Sequence, residues 1–291
     1  LDIERALSDG LDRLLTRPGA YLVGAFLVLG VANVVVAQSL TELAAEFVIE
    51  EYGQELAEAG SLDEFRSQVG MSPFAVGLSP TLLAVAFVAL AFVAEAVGIV
   101  AVRVFAAADP KRLPEGVADG LALATLNGFL AGIFTFVIVA VGFVVGLIGL
   151  IIGGFVLGAF LVVSLVFVRQ AVALDDENAI GALGRSWDVA KGNRWYLFAL
   201  VLILAVLGMV VGGLGGLVAG LLGRTVSTLV NAVIGAVVGV FGIAVTTQAY
   251  QQLRPTGDAG TGVDGTGGDG TGVDGDWETS ERDRKSTRLN S

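Results

Sequence analysis

The sequence predicts an all-α, polytopic membrane protein with six transmembrane helices and short interfacial amphipathic helices. Three observations carry this expectation. Residues Leu121–Val168 are 48 consecutive residues without Asp, Glu, Lys or Arg, and Trp195–Gly223 are another 29. The chain is 55% hydrophobic and only 15% charged, where a soluble domain carries about 25% charged residues. Lys and Arg also fall unevenly between the connecting segments, as membrane topology requires.

Residues 1–19 place Leu7, Leu11, Leu14 and Leu15 on one helical face, with charges on the others, ahead of Pro18-Gly19. This predicts an in-plane amphipathic helix over 3–16, too charged to be a signal-peptide core. The chain opens on Leu1 rather than Met, so residues ahead of it are expected. The first span is expected at 20–40, about the 20 residues that a crossing needs. Residues 41–79 carry eight acids and one base, Arg66, and read as a polar insertion. Within it Ser61-Leu62-Asp63-Glu64 has the form of a capping box. Ser79-Pro80 opens the second span, 80–106, with Pro at the first helical position.

The 48 uncharged residues would reach about 72 Å as one helix, against a hydrocarbon core of about 30 Å. They must make two crossings, 118–145 and 147–168, joined near the glycine cluster Gly146–Gly154. Spans five and six are expected at 195–219 and 225–250, completing a membrane domain over 1–255.

Between spans four and five lies a polar island, Arg169 to Tyr196. Asp175, Asp176 and Asn178 are helix-capping residues. Ile180, Leu183, Trp187 and Ala190 follow on one apolar face, and Gly192-Asn193 is a stop signal. The spacing predicts a helix over 178–191. Such a helix lies in the membrane interface or forms an ordinary loop helix; Trp187 and the flanking spans favour the interface.

With the N-terminus placed in the cytoplasm, the inner segments hold eleven Lys or Arg, Arg169 among them, and the outer segments hold Arg66 and Arg224. The positive-inside rule then puts both termini in the cytoplasm and the acidic 41–79 insertion outside, in the plasma membrane. Val102-Arg103 before Asp109 and Val168-Arg169 before Asp175 share one spacing, which suggests three interfacial-segment-plus-hairpin units. Small-xxx-small pairs such as Gly128/Gly132, Gly149/Gly153 and Gly235/Gly239 would permit close helix approach.

Cysteine and histidine are both absent. This excludes thiol nucleophiles, disulfides, Cys/His zinc sites and a Ser-His-Asp triad. No enzyme, cofactor or metal is expected. A net charge of −11 argues against nucleic acid, which needs basic clusters. The lipid bilayer and other membrane proteins are the expected partners. Arg outnumbers Lys 14 to 3, and with the acidic excess this points to a salt-loving archaeon.

Glu95 is the one acid inside a span, and an intramembrane acid is by default a functional candidate. Asn33 and Asn127 fall at comparable depth. A Glu95–Asn33–Asn127 cluster would pass protons or bind an ion, or would act as interhelical hydrogen-bond glue, with Glu95 neutral. Glue is the favoured reading, so a scaffolding or lipid-contacting role leads, and a small transporter or channel with Glu95 in its path is the alternative.

From Thr256 the composition turns to Gly, Asp and Thr, with T-G-V-D-G repeated, which predicts a disordered tail over 256–282. Residues 283–291, D-R-K-S-T-R-L-N-S, resemble an in-frame sequencing adapter and are expected to carry no biology.

The island residues Ala182, Arg185-Ser186-Trp187, Lys191-Gly192 and Trp195, with Tyr250 and Leu253-Arg254, resemble a pattern in membrane domains related to that of glycerophosphoryl diester phosphodiesterase. A family of multi-pass membrane proteins of halophilic archaea shows the same organisation. The resemblance covers 165–255 closely and implies the fold. The catalytic domain of that enzyme needs acidic and histidine residues and has no counterpart here, so the resemblance implies no hydrolysis.

Overall fold

The structure, a computed structural model, describes residues 1–69, 73–149, 151–221 and 223–254. The Gly/Asp/Thr tail at 256–282 and the end at 283–291 lie outside the described residues. The described chain is all-helical: α1 (Ile3–Leu14), α2 (Arg17–Glu58), α3 (Leu62–Val69), α4 (Pro80–Ala106), α5 (Leu121–Gly149), α6 (Ile151–Ser164), α7 (Val168–Leu174), α8 (Ala179–Ala190), α9 (Arg194–Gly220) and α10 (Arg224–Leu253). Six helical stretches are long and apolar enough to cross a membrane, so this is a multi-pass membrane protein.

Two boundaries differ from expectation for physical reasons. The first span does not stop at residue 40. It continues as a 42-residue helix, about 63 Å long at 1.5 Å per residue. The acids Glu42, Glu46, Glu50, Glu51 and Glu55 make a segment polar without breaking it, because Glu is a good helix former. The helix ends only where Gly60 takes φ +69° and Ser61 N–H reaches back to the Leu56 carbonyl, the Schellman pattern. Ser61 directs its hydroxyl to that same carbonyl.

The fourth span is interrupted. Residues 165–167 form a turn between α6 and α7, and the crossing runs from Gly153 to Leu174 through that break. The expected polar island thus begins inside the bundle. Half of the most apolar window of this span is buried, against 6–22% in the other five, so it is the central element. Ile99, Val102, Ala171, Val172 and Ala182 meet around it in one core; Phe167, Leu197, Val245, Ala249 and Tyr250 meet in a second.

Helix α8 occupies nearly the predicted 178–191, capped by Asn178, whose side chain accepts from the Ile180 and Gly181 N–H groups. Its buried face is not the large apolar one. Ala179, Ala182, Ser186, Val189 and Ala190 turn inward, while Ile180 is 73% exposed. Small residues let α8 approach the broken span closely, which a Trp- and Ile-bearing face would prevent. Ser186 is fully buried. Its hydroxyl accepts from Phe167 N–H at 3.1 Å and donates to the Ser164 carbonyl at 3.0 Å. It thereby satisfies both sides of the break, in a region where unpaired backbone groups are costly.

Among the small-xxx-small glycines, Gly153 lies against Gly146 in the α5–α6 hairpin, but Gly132, Gly212, Gly216, Gly235 and Gly239 have no neighbour for a Cβ within 4 Å. The repeat spacing does not give equivalent roles: after Arg103 the chain runs through turns at 109–120 with no helix, whereas after Arg169 it continues in α7.

Ser186→Ala removes both bonds at the break. The expected loss is about 1–3 kcal/mol, read from unfolding in mixed micelles, while Ser8→Ala on the exposed face of α1 is neutral.

Candidate functional site

Glu95 lies on α4, eleven residues before its end at Ala106, and is only 12% exposed. Its partner is Arg169, on the first turn of α7. Arg169 Nε donates to Glu95 Oε1 at 3.1 Å and Nη2 donates to Oε2 at 2.8 Å. This two-point geometry is the strong form of a carboxylate–guanidinium pair. Glycines make the approach possible. A Cβ at Gly128 of α5 would stand 2.6 Å from Glu95 Oε1, and one at Gly98 would stand 3.1 Å from the Arg169 guanidinium.

The expected Glu95–Asn33–Asn127 cluster does not form. Neither Asn bonds to Glu95 among the described residues. Asn33 is exposed and lines a separate cavity of about 290 Å³ with Phe26, Gly30, Ala91 and Ala232. Asn127 is half-buried on α5. Sequence depth placed all three at one level, but the faces of their helices diverge. Arg169, counted as an inner-loop cation, belongs instead to the span; its removal from that count leaves the charge asymmetry intact.

The pair lines a cleft of about 450 Å³. Gly128, Gly132 and Thr135 of α5 line one side, Val201 and Leu204 of α9 and Gly239, Gly242 and Thr246 of α10 the other. Leu165, Val166 and Val168, at the helix break, also line it. Gln170 is 3% exposed and its Nε2 donates to Thr246 Oγ1 at 3.0 Å.

A second polar centre gathers the motif residues. Asp175, with its side chain 9% exposed, accepts from Arg185 Nε at 2.8 Å and from the Tyr250 hydroxyl at 2.5 Å. Arg254 Nη2 lies 2.9 Å from the other carboxylate oxygen, an ion pair outside hydrogen-bond geometry. The hydrogen bond to Asp175 raises the Arg185 guanidinium above its ordinary value, against the opposing effect of burial. Asp175 was read as a cap. It is the C-cap of α7 and the junction of α7, α8 and α10, while Asn178 is the N-cap of α8.

Trp187 packs edge-on against Phe160 with ring centroids 5.6 Å apart. The Arg194 guanidinium sits 4.5 Å over Trp187 and 4.7 Å over Phe160. Lys191 is exposed, Gly192 turns the chain at φ +85°, and Trp195 is 85% exposed. Arg185, Ser186 and Trp187 thus tie α8 to three different places.

The same end of the bundle is closed by side chains on the last carbonyls of α4. Gln248 donates to the Phe105 carbonyl, Gln251 to that of Ala106 and Arg13 to that of Ala107, at 2.7–2.9 Å. Burial lowers the Arg13 guanidinium, with Asp9 opposing. Arg103 bridges the carbonyls of Ala173, Val117 and Asp119. No group of three or more metal-ligating side chains occurs among the described residues.

Sequence reasoning found Glu95 and missed Arg169 and Asp175. A signal existed for each. An intramembrane acid calls for a cation, and Asp175 follows the apolar run Ala171–Leu174.

The chain belongs to the family described as Domain of unknown function (DUF7847), whose model matches residues 1–253. The match extends through the last helix and takes in Glu95, Arg169, Asp175, Arg185 and Tyr250; Arg254 follows it by one residue. No curated protein and no solved structure matches the chain.

Glu95→Leu leaves Arg169 without its partner. Removing one member of a buried pair costs about 3–5 kcal/mol; with Arg169 40% exposed, about 2 kcal/mol is expected. Glu95→Leu/Arg169→Leu recovers most of that loss in the same unfolding measurement.

Proposed function

We propose that the chain is a non-catalytic accessory or scaffolding protein of the plasma membrane that contacts lipid. Both termini face the cytoplasm and the acidic end of α2 with α3 faces outward. The observation that carries this reading is the pairing of the internal charges with one another. Glu95 is held by Arg169 at two points, and Asp175 is held by Arg185, Tyr250 and Arg254. A shuttling proton on Glu95 would have to disrupt that two-point pair each cycle. Groups fixed in this way build a rigid frame. The absence of Cys and His from the whole chain is in keeping with a role without covalent or metal chemistry.

The likeness to the membrane domain of glycerophosphoryl diester phosphodiesterase belongs to the same reading. Its motif residues Arg185, Ser186, Trp187, Tyr250 and Arg254 are the ones that fasten α8 and α10 around the broken span. A motif built on such ties supports a shared framework rather than a shared reaction.

One observation favours the alternative of a small transporter or channel. The cleft over Glu95 adjoins an interrupted helix, the arrangement in which transporters place substrates.

Liposomes carrying the purified chain separate the two readings. No proton or ion flux above protein-free liposomes is expected; a flux that Glu95→Gln abolishes would establish transport. Orientation is tested by single cysteines at Arg66 and Arg112, both exposed. A membrane-impermeant thiol reagent on intact cells is expected to label position 66 only.

A further inference from the structure

Among the described residues Arg13, Arg103, Arg169, Arg185, Arg194 and Arg254 are the half-buried arginines. Five of them reach an oxygen of the chain. Arg194 reaches none. Its Nε and Nη2 are enclosed and unbonded, and its guanidinium lies over the rings of Trp187 and Phe160 at 4.5 and 4.7 Å. The ring faces attract the cation and fix its plane, but they supply no anion. Nη1 is neither enclosed nor bonded, so it is the nitrogen that this cation presents outward.

The surroundings set this corner at a bilayer boundary. Gly208 of α9 stands against Val238 of α10, and Gly215 against Ile234. The two helices therefore run antiparallel, and Arg194 at the start of α9 comes level with the polar end of α10, Gln251 to Leu253. Trp195 and Tyr196 follow, 85% and 56% exposed. Amphipathic aromatic rings collect where a span meets the headgroups. Lys191 is exposed and lies across the turn at Gly192 from Arg194. It makes no ion pair among the described residues, and neither does the exposed Asp188.

We propose that this corner binds the phosphate of an anionic phospholipid, held by Arg194 Nη1 and Lys191, with Trp195 and Tyr196 against its glycerol and upper acyl chains. Charge selects the head. Lys191, Arg194 and Asp188 leave one net positive charge, so an anionic head gains more there than a zwitterionic one, which brings its own cation. Position selects lipid over a free phosphate, because the exposed rings next to the cations have apolar faces that a soluble anion does not cover. The inference rests on the lipid-contacting reading above and gives the class of lipid and the place that holds it.

Native mass spectrometry of the full chain, titrated in detergent with dioleoylphosphatidylglycerol or dioleoylphosphatidylcholine, tests it. One phosphatidylglycerol per chain is expected to bind saturably, about fivefold more tightly than phosphatidylcholine, the ratio that one net charge near the headgroups supplies. Arg194→Gln is expected to erase that preference. Lys191→Gln, on an exposed side chain, is expected to erase it as well, and its result stands even where Arg194→Gln loosens α8. Arg112→Gln, an exposed cation in another loop, is expected to keep it. Equal binding of the two lipids by the wild-type chain would overturn the proposal. So would a preference that survives either of the first two variants, or one that Arg112→Gln removes as well. Displacement of phosphatidylglycerol by millimolar inorganic phosphate at constant ionic strength would assign the corner to a soluble anion and overturn it too. Such a failure together with flux-free liposomes would leave the accessory reading standing; a flux dependent on Glu95 would fail that reading whatever binds here.

Discussion

Asp175 is the constraint on which the rest of the bundle depends. It ends the broken fourth span, and it is bound from α8 by Arg185 and from α10 by Tyr250 and Arg254. In a membrane, apolar packing between helices has little hydrophobic driving force, because lipid is as apolar as the side chains. Polar ties then decide which helices stay together. Asp175 joins elements 10 and 75 residues apart along the chain. Its short bond to the tyrosine hydroxyl is of the charge-assisted kind.

The helix break follows from the same logic. A turn at 165–167 frees backbone groups within the bundle, and Ser186 returns a donor and an acceptor to them from α8. Small residues on the inner face of α8 bring that serine close enough. Arg169, just past the break, then reaches Glu95 across the space left by Gly98 and Gly128. The cleft beside the pair follows from this arrangement, since residues of the interrupted span line it.

Much of the fold was legible in the sequence because apolar length is the dominant signal for a spanning helix. Six helices are long and apolar enough to cross, as the uncharged runs implied, and Asn178 and Gly192 stand at the two ends of α8. What was not legible has identifiable causes. The end of α2 was hidden because glutamates lower hydropathy without ending a helix. The face that α8 buries was not read from the sequence, because hydrophobicity marks Ile180 and Trp187, whereas close packing in lipid selects Ala and Ser. The partner of Glu95 was missed because Arg169 stands 74 residues away and opens a polar stretch, so that it read as a loop cation. Asn33 and Asn127 shared its depth but not its direction, and depth is all that residue counting provides.

The most direct measurement is amide hydrogen exchange on Asp175→Leu beside the wild-type chain in the same detergent. If Asp175 fastens the interrupted span, exchange rises across 165–190 and along the end of α10 near Tyr250, while the middle of α2, residues 25–40, keeps its protection. Unchanged protection at 165–190 would contradict the account, and so would a uniform loss over the whole chain.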